Sequence, residues 1–355
     1  MSSMAPVNVR INPMGMLVIG GGLIITLLYL FGMPDLFRRE QRVSMKELLS
    51  VSIGLAQKGG NHVRDIYSKH PDKMDEKVKG KTKEGADEML TNGDLESHRA
   101  IFYGFSKMYP SIKIFSEEHD NKPVDFNQIN PVNTKLDEVE EIIKSDQSIP
   151  VSKIAIWIDP LDATQEYTES LTQYVTTMVC VVVDGEPKIG VINVPFKEET
   201  YWAWDGYGYS KNLKPAESVD LNSSQKHKII VSRSHQGDVE KVAKSAFGDN
   251  VEIIPAGGAG FKTLEVVKGS ANAYTHITLI KKWDICAGNA ILNAVGGKMT
   301  TLDGDFIDYS PNLNVKNERG LLATVNSKLH YDYLDKLGSK AKDLMEATKS
   351  PGSHR

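Results

Sequence analysis

The chain has 355 residues, 40% of them hydrophobic and 25% charged, an ordinary globular composition with length for two domains or one large one. A formal net charge of −4 excludes a binder of nucleic-acid backbone, whose footprint would be a basic excess, so any phosphate recognition must be local. Cys180, in VTTMVCVVV, and Cys286, in WDICAGNAIL, read as small buried hydrophobes rather than a disulfide, and their number leaves the compartment open.

After a short tail, residues 1–13, Met14 to Met33 is an uncharged, mostly apolar run of 20 residues, long enough as a helix to cross roughly 30 Å of hydrocarbon. It is longer than the apolar core of a cleaved secretory signal, and no small-x-small cleavage site follows it before Arg38 and Arg39, so it reads as an uncut signal anchor. Arg38, Arg39, Arg42 and Lys46 outnumber Arg10 across the run, and the positive-inside rule then places the globular part in the cytosol. Asn222-Ser223-Ser224, an acceptor of the N-x-S glycosylation type, points the other way. These residues leave topology open.

A linker, 34–43, leads to Met45, Leu48, Leu49, Ser52, Leu55 and Ala56 at helical spacing, with Ser44 as the cap and Glu47 three residues on. Residues 70–90 turn charged and irregular and read as a mobile basic loop. Gly80-Lys81-Thr82 is no P-loop end, because Asp75 stands where the first glycine belongs and no apolar strand precedes it. Thr91-Asn92-Gly93-Asp94 breaks the chain before a helix striped by Ile101, Phe102, Phe105 and Met108, which Asp94 can cap. A short strand through Ile112, Ile114 and Phe115 runs into Glu117 and Glu118. Residues 120–150 are polar, with one helix around Leu136 to Ile143, and read as an insertion.

Strands dominate from 154, at 154–158, 175–183 and 188–194, with an Asp184-Gly185 hairpin turn and a continuation through Tyr201 to Trp204. The first of these is expected to stop at Asp159-Pro160, because proline removes a ladder donor and a buried carboxylate is costly. The last third alternates strand and helix: strands at 229–231, 253–254 and 273–279, helices near 238–246, 261–267 and in WDICAGNAILNAV. This is an α/β order, with functional groups gathering at strand-to-helix turns.

Asp159 and Asp162 lie three apart on a strand-end turn, and only a cation would relieve their repulsion. Glu117 and Asp284 also sit where an apolar strand ends or a helix starts. Each acid alone has a bland reading, a solvated face or a first-turn partner of the helix dipole. Their repeated placement favours a metal cradle. Oxygen ligands without a histidine or thiol cluster select Mg²⁺ or Mn²⁺ over zinc, and two such ions roughly 4 Å apart serve phosphoryl hydrolysis.

The carboxylate pair at 117–118, WIDPLDAT at 157–164 and WDICAGNAIL at 283–292 resemble, in this order, the lithium-sensitive, magnesium-dependent phosphomonoesterases of the inositol monophosphatase family. The resemblance covers about residues 44–345 and leaves 346–355 as a polar tail. It implies a layered αβαβα sandwich and two or more Mg²⁺, held by the Glu117, Asp159, Asp162 and Asp284 carboxylates and the Leu161 carbonyl. Asp94 in TNGD and Thr164 match the pair that positions and activates the water. KGKTKEGADEMLTNGD, DPLDATQEYTE, IIVSRSHQG and IIPAGGAGFK resemble the family's Golgi nucleotidases acting on adenosine 3′,5′-bisphosphate. That branch implies nucleotide contacts from Ser232, His235, Gly258 and Lys262 and release of AMP and phosphate, clearing the by-product of sulfotransferases. It also implies a type II membrane anchor with a lumenal catalytic domain. Gly257, Gly258 and Gly260 open a helix whose N–H groups suit an anion, with Lys262 beside them. The rivals are an inositol monophosphate phosphatase of the same fold and a binding protein that has lost catalysis.

Overall fold

A computed structural model describes residues 12–30, 40–69, 76–81, 87–120, 122–216, 226–233, 236–311 and 314–349, so Asn222 and His235 lie outside the described residues. Met1–Gln41 and Arg42–Arg355 are two separate units. In the first, helix α1 (Pro13–Leu30) has 18 residues and starts where Asn12 Oδ1 accepts the Gly15 N–H at 2.6 Å. The expected crossing by residues 14–33 is not supported: 18 residues rise only ~27 Å, residues 31–33 lie outside the described residues, and no helix among those described is long and apolar enough to cross a membrane.

In the second unit, β1 (Arg42–Ser44) leads into α2 (Met45–Lys69), where Ser44 Oγ accepts the Glu47 N–H at 3.0 Å as the cap expected there. Leu48, Leu49, Ser52, Leu55 and Ala56 are all buried along one stripe of that helix. Next, β2 (Lys77–Lys81) and β3 (Asp87–Leu90) pair antiparallel, so part of the stretch that reads as a mobile basic loop is a hairpin. The sequence hid it because no apolar alternation marks these strands; Lys79 points at carboxylates instead of lying in solvent.

Helix α3 (Asn92–Met108) opens on a capping box between Thr91 and Asp94 and is followed by β4 (Lys113–Ser116). Residues 122–150 hold α4 (Asp137–Ile142) and β5 (Ser148–Pro150), and β5 returns to pair with β1. Strand β6 (Ile154–Asp162) is buried along its whole length and does not stop at the carboxylates. It passes through Asp159 and Pro160 with a register shift between Asp159 and Asp162, the bulge at which proline is tolerated in a sheet, and Ser97 Oγ donates to the Pro160 carbonyl at 2.6 Å.

After α5 (Thr164–Thr168) come β7 (Thr176–Val183), β8 (Glu186–Val194), β9 (Glu199–Trp204) and β10 (Gly208–Tyr209). Asp184 (φ 51°) and Gly185 (φ 84°) form the expected turn between β7 and β8. The first sheet runs β10-β9-β8-β7-β6-β4, with only β4 and β6 parallel. Then follow β11 (His227–Ser232), α6 (Gln236–Phe247), β12 (Val251–Ala256), α7 (Ala259–Val267), β13 (Ala273–His276), β14 (Ile280–Lys281), α8 (Lys282–Ala294), β15 (Lys298–Thr300), β16 (Lys316–Asn317), β17 (Leu321–Thr324) and α9 (Ser327–Lys349). The second sheet runs β12-β11-β13-β17-β15, and β14 pairs with β16.

Helices α2 and α3 cover one face of the first sheet, α7 and α8 fill the space between the sheets, and α6 and α9 cover the second, which is the expected αβαβα sandwich. Alternation along β6 divides its side chains: Ile154, Ile156 and Ile158 join the core under α2 and α3, while Ala155 and Trp157 join the core around α8. Asp159 continues the second set. Helix α8 can lie this close because β8 offers Gly190, where a Cβ would stand 2.2 Å from the Ala287 carbonyl oxygen. Across the same layer Cys180 of β7 and Cys286 of α8 form a disulfide with Cα atoms 5.7 Å apart, which corrects their reading as two unlinked hydrophobes. The bridge joins residues 106 apart in sequence, and no local pattern marks such a pairing.

Candidate active site

Three elements bring three acids together. β4 runs parallel to β6 with Ser116 beside Ile158, and the Glu117 N–H donates to the Ile158 carbonyl at 3.1 Å, which sets Glu117 alongside Asp159. Asp284 comes from the first turn of α8, where its Oδ2 accepts the Lys281 N–H at 3.1 Å. One oxygen each of Glu117, Asp159 and Asp284 lies within 4.8 Å of the others. Burial, then the repulsion of Glu117, Asp162 and Asp284, holds the Asp159 carboxyl well above the ordinary carboxylate range. Asp284 is raised likewise, by burial and then by Glu117 and Asp162.

Asp159 Oδ1 is buried and has no hydrogen-bond partner among the described residues, a costly state for a carboxylate oxygen. An all-oxygen trio with an orphaned buried oxygen fits a hard divalent cation. Positive charge reaches the trio from two lysines that sequence reasoning missed as site residues. Lys79 Nζ donates to Glu117 Oε1 at 2.9 Å and also bonds Glu118, and Lys281 Nζ stands 3.8 Å from Glu117 Oε1. Burial lowers the Lys79 pKa, but Glu117 and Glu118 outweigh it and keep the ammonium charged beyond the usual lysine range. The recurring lysines of KVKGK were the one available signal, and solvated faces produce the same pattern.

Asp162 is placed differently. Its Oδ1 accepts the Ala259 N–H at 3.0 Å, and its Oδ2 accepts the Gly260 N–H at 2.8 Å and the Thr176 hydroxyl at 3.0 Å. The α7 N–H groups that the sequence offers to a ligand anion are thus taken by the protein's own carboxylate. Burial raises the Asp162 pKa, while buried Lys262 and these donors pull it back. Gly258 (φ 63°) allows the approach, since a Cβ there would lie 2.6 Å from the Tyr174 carbonyl oxygen and 3.0 Å from Asp162 Oδ2. Lys262 is buried 5.1 Å from the centre of the Tyr274 ring, and burial lowers its pKa against the attraction of Asp162, Glu166 and Asp284. Ser232 ends β11 in register with Ala256, beside this glycine loop. Arg233 follows it and binds Glu166 at 3.2 Å and Glu169 at 3.0 Å.

The other pair is joined directly. Thr164 Oγ1 lies 2.9 Å from Asp94 Oδ1 and 3.1 Å from the Leu161 carbonyl oxygen. Asp94 Oδ2 accepts the Thr91 N–H at 2.7 Å and the Thr91 hydroxyl at 2.6 Å. Burial pushes the Asp94 pKa up to about 7, against the Thr91 bonds that lower it. Thr164 can pass a proton to Asp94 while its oxygen receives one from a water, and a base with a pKa near the working pH suits that exchange.

The chain matches the inositol monophosphatase family over residues 44–341. It is 46% identical to the inositol monophosphatase 3 of Danio rerio, covering 91% of this chain and 94% of that one. It is 41% identical to the Golgi-resident adenosine 3′,5′-bisphosphate 3′-phosphatase of Mus musculus, covering 91% and 95% respectively. Among solved structures, inositol monophosphatase II of Staphylococcus aureus superposes with a TM-score of 0.62 at 18% identity, over 86% of this chain and 99% of that one, a likeness of fold. With the acidic trio, the Asp94–Thr164 pair and the five-layer sandwich in place, the match assigns the chain to the inositol monophosphatase family, whose members are metal-dependent phosphoric monoester hydrolases.

Proposed function

We propose that this protein hydrolyses the 3′-phosphate of adenosine 3′,5′-bisphosphate to AMP and phosphate in a magnesium-dependent reaction. The observation that carries the chemistry is the Glu117, Asp159 and Asp284 trio, with its orphaned Asp159 oxygen, in the same site as the Asp94–Thr164 bond. The substrate rests on relatives 40–41% identical over 91% of the chain that bear that activity in their names.

Glu117, Asp159 and Asp284 would hold Mg²⁺, with Asp162 and the Leu161 carbonyl completing the set. Bound there, the ion supplies Lewis acidity toward the phosphate and stabilises the leaving oxygen. Thr164 orients the attacking water and relays its proton to Asp94, whose second oxygen stays pinned by Thr91. Ser232, His235, Gly258 and Lys262 would line the nucleotide side, with buried Lys262 also attracted by Asp162, Glu166 and Asp284. The Danio rerio relative supports a second reading, an inositol monophosphate substrate.

We place the protein in the Golgi and link it functionally to sulfotransferases, which release this nucleotide. The relatives named Golgi-resident support that placement, and the buried disulfide supports an oxidising lumen. For the type II membrane tether the support is the uncharged run 14–33 alone. Protection of the intact domain from protease added to sealed Golgi vesicles is the expected result, and digestion there would refute lumenal placement.

The substrate experiment compares kcat/KM for adenosine 3′,5′-bisphosphate, 3′-AMP and inositol 1-phosphate with magnesium, then with lithium added. A bisphosphate preference inhibited by lithium is expected, and a clear inositol preference would overturn the choice.

A further inference from the structure

Asp159 and Asp284 come from different layers, and the Cys180–Cys286 disulfide crosses between those same layers beside them. In the pairing of β6 with β7, Trp157 is opposite Cys180 and Asp159 is opposite Met178. Trp157, Met178 and Cys180 all belong to the core around α8, so Cys180 is on the sheet face that carries Asp159, one diagonal step away. On α8, Cys286 follows Asp284 by two residues. Both cysteines are 0–1% exposed, inside the packed core.

The trio works against its own geometry. One oxygen each of Glu117, Asp159 and Asp284 lies within 4.8 Å of the others, so any two of them that are ionised repel and load the elements that hold them. The first half of α8 is held to the first sheet by packing, at the contact of Gly190 with the Ala287 carbonyl, and covalently, through Cys286 two residues after Asp284. A small hard cation tolerates little error in ligand spacing, so a slight retreat of the first turn of α8 would cost binding far more than fold.

We propose that the Cys180–Cys286 disulfide is a positioning device for the metal cradle, holding Asp284 on α8 at its working distance from Asp159 on β6. Forming the bond needs an external disulfide, which accepts two electrons and two protons from the two thiols and leaves as two thiols. A chain folded where that oxidant is lacking has every ligand but not their spacing. The inference rests on the phosphatase reading only in taking the trio as a cation site.

The test compares the full chain with Cys180→Ser/Cys286→Ser and Cys180→Val/Cys286→Ala, the second keeping the site apolar. Each is stripped by chelator and titrated calorimetrically with Mn²⁺ at a temperature where circular dichroism shows it folded. The expected result is an Mn²⁺ dissociation constant raised at least tenfold in the folded variants. A constant within twofold of the parent, whatever the fall in Tm, would overturn the proposal. Failure of both variants to fold would overturn it too, because the bridge would then hold the fold and not the cradle. Turnover of the bisphosphate by the parent chain is measured alongside, and its absence would remove the substrate reading while the Mn²⁺ result still judges the bridge.

Discussion

Asp94 serves two elements with one carboxylate: one oxygen caps α3 through Thr91 and the other accepts from Thr164. Asp94→Asn is therefore expected to lower kcat by about 10²–10⁴-fold, the span associated with loss of a general base. Thr164→Val should fall comparably and Thr164→Ser should recover most of the loss; equal losses would show that the hydroxyl is not the relay. With Asp94 raised to about 7, kcat/KM is expected to rise with pH through that value, as the base loses its proton. Stability has the opposite sign. The folded pKa stands above the ordinary 3.8, so Asp94 favours the folded state fully below that value, and the advantage is lost as pH rises through about 7. Asp159, Asp162 and Asp284 are shifted in the same direction. Chelated protein should therefore melt at lower temperature as pH rises from about 4 to 7, and added Mg²⁺ should restore most of the loss at pH 7.

At the scale of elements, the loop before α7 exists to bring backbone N–H groups onto Asp162. Gly258→Ala places a Cβ at φ 63° and 2.6 Å from the Tyr174 carbonyl oxygen, so the loop must strain or withdraw. A loss of about 1–3 kcal/mol in denaturant unfolding is expected, together with weaker Mg²⁺ binding. An Mg²⁺ affinity unchanged by the substitution would separate Asp162 from the cation site. The existence and order of α2, α3, β7, β8 and α8 were legible in the sequence, because each carries a long periodic run or a cap within a few residues. β6 was legible except at its end, since the hydrogen bond from Ser97 to Pro160 spans 63 residues. The β2–β3 hairpin was not legible: most of its strand residues are charged, and the partners that Lys79 finds, Glu117 and Glu118, lie far along the chain.

For the whole molecule, the disulfide closes a loop of 106 residues between the first sheet and the inner helix layer. Its removal is expected to cost about 2–5 kcal/mol, read from denaturant curves of the parent and the double serine variant. A change below 1 kcal/mol would mean that packing around α8 already supplies this constraint.

By itself the sequence determined the α/β class and offered four carboxylates, Glu117, Asp159, Asp162 and Asp284, beside Asp94 and Thr164 as candidate site residues, because residue type, period and spacing are local properties. Only the tertiary structure decided how those acids are used. It put Glu117, Asp159 and Asp284 in one cluster, turned Asp162 toward α7, brought Lys79 across from a hairpin and joined the two cysteines. Each of these depends on partners from distant parts of the chain, and competition among buried charges for donors is settled only when the layers close.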